Sequence, residues 1–224
     1  MAPSVGRTPT HPPSNTNVPP PVSVATSSTG SRTPETVPLE VPDAKHVDVD
    51  SILPQMMALA RKVDEQAELR LVTVLSPLDA EGFIDLDHGD TPAVVLNFTV
   101  NYYDHTKPPG ADLVSGYGSI STHTTYCSPS SSPCLRTLYT PGINTPGAAH
   151  PLPQCTLQRA WAAAIASGVP RNTVTSQATY GFWGPPTFWS FTVAGHRELE
   201  RNIDATTCKV ATDADVMRAM SATH

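Results

Sequence analysis

Residues 93–102 read AVVLNFTVNY and residues 187–193 read TFWSFTV, and these two stretches decide the fold. In each, large apolar residues alternate with smaller or polar ones, which is typical of a half-buried antiparallel strand. Both contain the tripeptide Phe-Thr-Val, at residues 98–100 and at residues 191–193. The shared tripeptide indicates that one structural unit occurs twice, although two unrelated stretches can also match by chance.

A predicted amphipathic helix and a strand precede each of these stretches. Asp50 is the expected N-cap of a helix over residues 51–65, whose apolar residues recur at helical spacing. A second helix is expected to begin at residues 155–156 and to stop at Gly168, with a proline two residues further on. The predicted fold class is therefore α+β, with two similar helix-plus-antiparallel-sheet units of a cystatin-like kind.

The second unit closes on residues 197–207, RELERNIDATT, followed by Cys208, Lys209 and Val210. Together with the preceding helix and strands, this ending resembles a PepSY-type domain over residues 155–210, and the first unit resembles it by analogy only. That family often ends in Asp-Ala-Thr followed by Gly-Lys, and Cys208 stands in the place of the glycine. The resemblance implies an extracytoplasmic binding or inhibitory module with no catalytic residues of its own.

The chain divides into five predicted segments. Residues 1–47, rich in Pro, Ser and Thr, have few large apolar residues and are predicted to be a disordered tether. Residues 48–104 form the first α+β unit. Residues 105–154 are a connecting segment that is rich in Pro, Gly and Ser, with an added strand over its first part and a long loop after it. Residues 155–210 form the second unit, and residues 211–224 form a tail with a short helix.

Composition excludes several classes of partner. The net charge is −6 and the 14 Lys and Arg residues are scattered, so no basic patch predicts nucleic-acid binding. No apolar run approaches the roughly 20 residues that cross a bilayer, and the N-terminus lacks the regions of a secretion signal. No nucleophile elbow, phosphate loop or dinucleotide fingerprint is present, so neither an enzyme nor a cofactor is expected.

The four cysteines nevertheless favour an oxidising compartment. Cys127, Cys134, Cys155 and Cys208 are expected to form two disulfides, 127–134 and 155–208 among three possible pairings. An extracytoplasmic location, periplasmic, secreted or at the cell surface, follows if the chain is the exported part of a longer product. The proline-rich tether would then join the domain to a membrane segment further upstream.

A metal site is the alternative use of this region. His123, Cys127, Cys134, His150 and Cys155 are suitable ligand types, but they lack the Cys-x-x-Cys spacing of a strong zinc motif. Residues 85–90 superficially resemble a calcium loop, yet the glycine falls one position early and no glutamate closes the loop. A solvated turn is the simpler prediction, and no metal is expected.

The predicted binding site is aromatic. Phe182 and Trp183 occupy a turn rich in Gly and Pro, and Phe188 lies on the opposite strand face from Trp189 and Phe191. Exposed rings beside a sheet edge suit contact with a protein, peptide or envelope component. Rings that merely cover the sheet are the simpler alternative. A metal-binding protein and a purely structural spacer remain alternative functions.

Overall fold

In the part of the chain that the computed structural model describes, eight antiparallel strands form one sheet, in the order β1-β5-β4-β3-β2-β6-β7-β8. The structure describes residues 34–87, 92–103, 114–127, 132–140, 149–181 and 186–221, with the backbone alone at some strand ends. The strands are β1 Thr36–Pro38, β2 Glu68–Val74, β3 Val94–Tyr103, β4 Val114–Cys127, β5 Ser132–Thr140, β6 Gln177–Tyr180, β7 Phe188–Thr192 and β8 Arg201–Asp204. The helices are α1 Val49–Val63, α2 Leu157–Ala166 and α3 Asp213–Ser221, with a 3-10 turn at Arg197–Leu199. The predicted α+β class is confirmed.

Both long helices contribute their apolar faces to one hydrophobic core against the sheet. Ile52, Leu53 and Met56 of α1 are fully buried, as are Leu157 and Trp161 of α2. The Trp161 ring lies 5.2 Å from the ring of Phe191 on β7. Burying side chains of this size contributes about 1.5–3 kcal/mol each, so the spacing of apolar residues that predicts the helices also builds the core.

The N-terminus of α1 corrects one prediction. Asp48, two residues before the expected cap, accepts a hydrogen bond from the Asp50 backbone N–H and caps the helix. Asp50 instead lies in the first turn, where its Oδ2 accepts from the backbone N–H of Leu157 at 2.7 Å. The carboxylate of α1 thus satisfies an unpaired donor at the start of α2 and joins the two helices.

We expect Asp50→Asn to make the protein more stable above pH 7. Burial raises the pKa of Asp50 from 3.8 to about 6, against the hydrogen bond from Leu157. Because the folded pKa exceeds the unfolded one, the contribution of Asp50 to stability is greatest below pH 4 and is lost as the pH rises to about 6. The loss is about 2–3 kcal/mol, and an amide oxygen keeps the hydrogen bond without the charge. Urea unfolding of the wild type and Asp50→Asn at pH 4 and pH 8 gives their free energies of unfolding. The same difference between the two proteins at both pH values would contradict the expectation.

Two predicted segments are more ordered than their composition indicates. The predicted tether reached residue 47, but Thr36–Pro38 pairs with β5 and Val47 pairs with Ile84. Proline is tolerated in β1 because this strand lies at the sheet edge. The connecting segment also contains the strand β5, although a loop was expected there. The side chain of Leu135 on this strand is buried in the core. The domain therefore includes residues from Pro34 on, and the part of the tether before it lies outside the described residues.

Other boundaries shift by less. The sequence pattern also predicts two further strands, over residues 83–86 and over residues 198–205. The first is only a bridge at Ile84, and the second begins at Arg201, after the 3-10 turn. The strand predicted over the first part of the connecting segment is present as β4. Each half of the chain runs from a helix into an antiparallel meander, and β2 pairs with β6 where the halves meet. The result is one continuous sheet.

Candidate functional site

The sheet has two different faces, because the side chains that build the core with α1 and α2 all lie on one of them. The side chains on that inner face are buried and belong to the core: Val72, Val74, Leu96, Phe98, Ile120, Leu135, Ala178, Tyr180, Trp189, Phe191 and Ile203. Since successive side chains of a strand point to opposite faces, the alternate residues form an outer face. The outer face is where a partner can meet the sheet without displacing α1 or α2.

One row of outer-face residues crosses seven strands in register. Each member is the direct cross-strand neighbour of the next: Arg136, His123, Val95, Thr73, Thr179, Ser190 and Asn202. We call this set the outer row. Adjacent strands lie about 4.8 Å apart, so the outer row spans roughly 29 Å. Most members are half-buried, and all except Val95 carry hydrogen-bonding groups.

Hydrogen bonds between strands hold part of this surface in place. The Ser190 hydroxyl donates to Oδ1 of Asn202 at 2.6 Å, and the Ser121 hydroxyl donates to Oδ1 of Asn97 at 3.0 Å. Both asparagines accept through oxygen, and their amide nitrogens have no hydrogen-bond partner within the described part of the chain. A ligand that offers acceptors would therefore meet ready donors on a rigid scaffold.

One end of the outer row is basic. Arg136 on β5 and His123 on β4 are direct neighbours. Burial lowers the pKa of His123, and the charge of Arg136 lowers it further. The Nε2 atom of His123 is buried and has no hydrogen-bond partner. A neutral ring with an unsatisfied nitrogen thus sits beside an exposed guanidinium, which we call the Arg136–His123 pair.

The predicted disulfide between Cys155 and Cys208 is confirmed, with the two Cα atoms 5.3 Å apart. It joins the start of α2 to the turn after β8. The carbonyl of Ala205 accepts from the backbone N–H of Cys155 at 2.7 Å, and the Cys155 carbonyl accepts from the Trp189 indole at 2.9 Å. Cys208 has φ of 58°, the left-handed region that favours glycine.

Of the second predicted disulfide, the structure describes the side chain of only one cysteine. Cys134 is disulfide-bonded and its side chain is buried on β5. The side chain of Cys127, its expected partner, lies outside the described residues, so the 127–134 pairing stays a prediction.

The predicted aromatic site is not assembled by the described residues. Phe182 and Trp183 lie outside them. Phe188 is only 3% exposed, so its ring is not available as a contact in this conformation. The simpler alternative, in which a ring covers the sheet, fits Phe188.

Three of the five residues proposed for a metal site have other roles. Cys155 and Cys134 are disulfide-bonded and cannot serve as thiolate ligands. His150 is buried, and its Nε2 lies 3.1 Å from the carbonyl oxygen of Gly181. Within the described ranges, no three His, Cys, Asp or Glu residues are grouped to hold a metal. In the loop that resembles a calcium site, Asp85 Oδ1 accepts from the Asp87 backbone N–H, while residues 88–90 lie outside the described part.

The outer row was missed from the sequence for a physical reason. Alternation along one strand shows which residues leave the core, but cross-strand neighbours depend on register, which a single strand does not reveal. The run of Ser, Thr and His over residues 121–125 was the available signal. Among the described residues, none of the three α-helices has the length and apolarity needed to span a bilayer. No protein-family model, curated protein or solved structure matches the chain.

Proposed function

We propose that this chain is a non-catalytic, extracytoplasmic binding, sensing or scaffolding domain that recognises a protein, peptide or envelope component. The observation that carries the proposal is the outer row, a line of polar side chains on the sheet face opposite the core. Binding through such a face requires no chemistry at the surface, only donors and acceptors held at fixed spacing.

The polarity of the outer face supports recognition over mere packing. Thr73 is 9% exposed, whereas Thr179 and Ser190 beside it are half-buried and more accessible. Hydroxyl and amide groups suit ligand binding because each has both hydrogen-bond donors and acceptors, which fix the position of a bound group. Since a solvated antiparallel sheet of a structural spacer also has polar residues on its outer face, the comparison of Thr179→Arg with Ala162→Arg below separates the two functions.

We also propose that the two halves descend from one duplicated unit of PepSY-like type. The sequence of helix, strand and strand is the same in α1-β2-β3 and in α2-β6-β7. The positive φ of Cys208 gives further support, because the resembling family has glycine at this position. Cysteine there requires a compensating interaction, and the disulfide to Cys155 provides one.

The oxidation state of the four cysteines in cells tests the proposed extracytoplasmic location. We propose that the domain is exported and tethered through its proline-rich leader, since stable structural disulfides form in oxidising compartments. Thiols are blocked in intact source cells, and the chain is then mapped by non-reducing mass spectrometry. We expect bridged 155–208 and 127–134 peptides, and a population with four blocked free thiols would contradict export.

The binding surface is tested with a pair of variants that carry the same added charge. Thr179→Arg places a bulky cation in the middle of the outer row, and Ala162→Arg places one on the exposed side of α2. Each full-length protein is immobilised and exposed to the extracytoplasmic fraction of its source cells. We expect Thr179→Arg to reduce retention of the bound component at least roughly tenfold, while Ala162→Arg retains it like the wild type.

Thermal unfolding of both variants verifies that the fold is intact before binding is compared. Equal retention by Thr179→Arg and the wild type would exclude the outer face. A wild-type chain that retains nothing more than the immobilisation matrix does would favour the structural spacer.

A further inference from the structure

The Arg136–His123 pair is an incompletely satisfied polar site on the outer face. The hydrogen-bonding potential of most buried polar atoms in folded proteins is met, so the unpaired Nε2 of His123 requires an explanation. His123 is held between Val95 of β3 and Arg136 of β5, its direct neighbours in the sheet. The pairing fixes the ring and the guanidinium on the same face, within reach of each other.

The charges around the pair are of one sign. Among the described residues, Arg136 makes no ion pair with a carboxylate, and it is the one charge that acts on His123. The neighbouring outer-face side chains, Asn97 and Ser121, are neutral. A protein with net charge −6 thus holds a basic spot that its own described carboxylates leave uncompensated.

We propose that the Arg136–His123 pair binds a carboxylate side chain of an acidic peptide that lies across the outer face. A guanidinium presents two parallel N–H groups that match the two oxygens of a carboxylate, which makes Arg136 the anchor. Nε2 of His123 has no accessible surface, so a carboxylate meets the exposed Arg136 first and reaches Nε2 only after the side chains that cover the ring move.

The peptide gains further bonds along the same face. Asn97 is the next residue after Val95 on the same face of β3, two positions along the chain. Its unpaired amide nitrogen can donate to a backbone carbonyl of the peptide. Binding an anion favours the charged form of His123, so affinity for an acidic peptide rises as the pH falls. Arg136 opposes that protonation in the free protein, and the carboxylate offsets it in the complex.

The experiment uses the full chain and two blocked peptides, one alternating glycine with glutamate and one alternating glycine with glutamine. Binding is followed through the His123 ring signals in NMR spectra between pH 5.5 and 7.5. We expect the glutamate peptide to bind roughly tenfold or more tightly than the glutamine peptide, and to raise the pKa of His123. Arg136→Gln removes this preference, whereas Arg171→Gln, an exposed arginine in the turn after α2, leaves it unchanged.

Equal binding of the two peptides would overturn the inference, as would a glutamate preference that survives Arg136→Gln. Inorganic phosphate that shifts the His123 signals, while the glutamate peptide does not, would also overturn the peptide as occupant. The carboxylate site rests on the proposed binding function, but different results would contradict each of them. A loss of partner retention in Thr179→Arg without any loss in Arg136→Gln keeps the function and removes the carboxylate site.

Discussion

Replacing Cys155 and Cys208 together with alanine is expected to lower the free energy of unfolding by about 4 kcal/mol. The bridge spans 53 positions along the chain, so its loss restores much conformational freedom to the unfolded state. It also releases the start of α2 from the turn after β8, where Ala205 accepts two backbone hydrogen bonds from residues 154 and 155. Urea unfolding of the oxidised wild type and the double variant measures the loss.

A second double variant separates the covalent link from the backbone strain. Cys155→Ala with Cys208→Gly removes the same bridge but places glycine at φ of 58°. We expect it to be more stable than the double alanine variant by about 1 kcal/mol, because alanine is strained in the left-handed region and glycine is not. Identical stabilities would mean that the turn relaxes once the bridge is gone, and a loss under about 1 kcal/mol for both would contradict the importance of the disulfide.

Gly181→Ala is expected to destabilise the protein by about 2–4 kcal/mol. Gly181 follows β6 with φ of +87°, and an added Cβ would lie 2.7 Å from the carbonyl oxygen of Arg70 and 2.8 Å from Cδ2 of His150. The substitution therefore adds steric overlap to the cost of the left-handed backbone. It also displaces the ring whose Nε2 lies 3.1 Å from the Gly181 carbonyl oxygen.

Gly195→Ala is the matched control for the cost of placing alanine in a left-handed backbone conformation. Gly195 has φ of +77°, and an added Cβ there meets no atom within 4 Å. Its expected loss is about 1–2 kcal/mol, from conformation alone. Thermal or urea unfolding of both variants gives the difference, and equal losses would show that the His150 ring and the β2 backbone move aside at little cost.

The sequence predicted the elements whose signals are local. Apolar spacing located α1, α2, β2, β3 and β7, and the alternation over the connecting segment located β4. It failed at Asp50, because Asp48 is an equally suitable cap and the bond from α2 to the Asp50 carboxylate leaves no trace in the local sequence. It failed at β5 because Pro133 and the prolines and glycine around the strand indicate a loop, and only the pairing with β4 overrides that local signal.

The candidate site was less accessible to prediction than the fold. Phe188 was expected to be a contact, but a strand residue can be covered on either face, and alternation alone does not say what covers it. Thr179 and His123 lie far apart in the chain and join one row only through the register of four strands. The disulfide between Cys155 and Cys208 could be predicted because helix start and strand end meet in a compact unit.

The short edge strand β1 has a mechanical consequence for a tethered domain. Tension applied through the residues before Pro34 enters the fold at β1, which is held to β5 by three residue pairs, by hydrogen bonds between Glu35 and Thr137 and by a bond from Leu39 to Pro133. We expect these contacts to part under force before the load reaches α1, since they are the first in its path. Peeling β1 away would uncover the hydrogen-bonding edge of β5, so stretching the leader would replace a three-residue edge strand with a nine-residue one that can accept another strand.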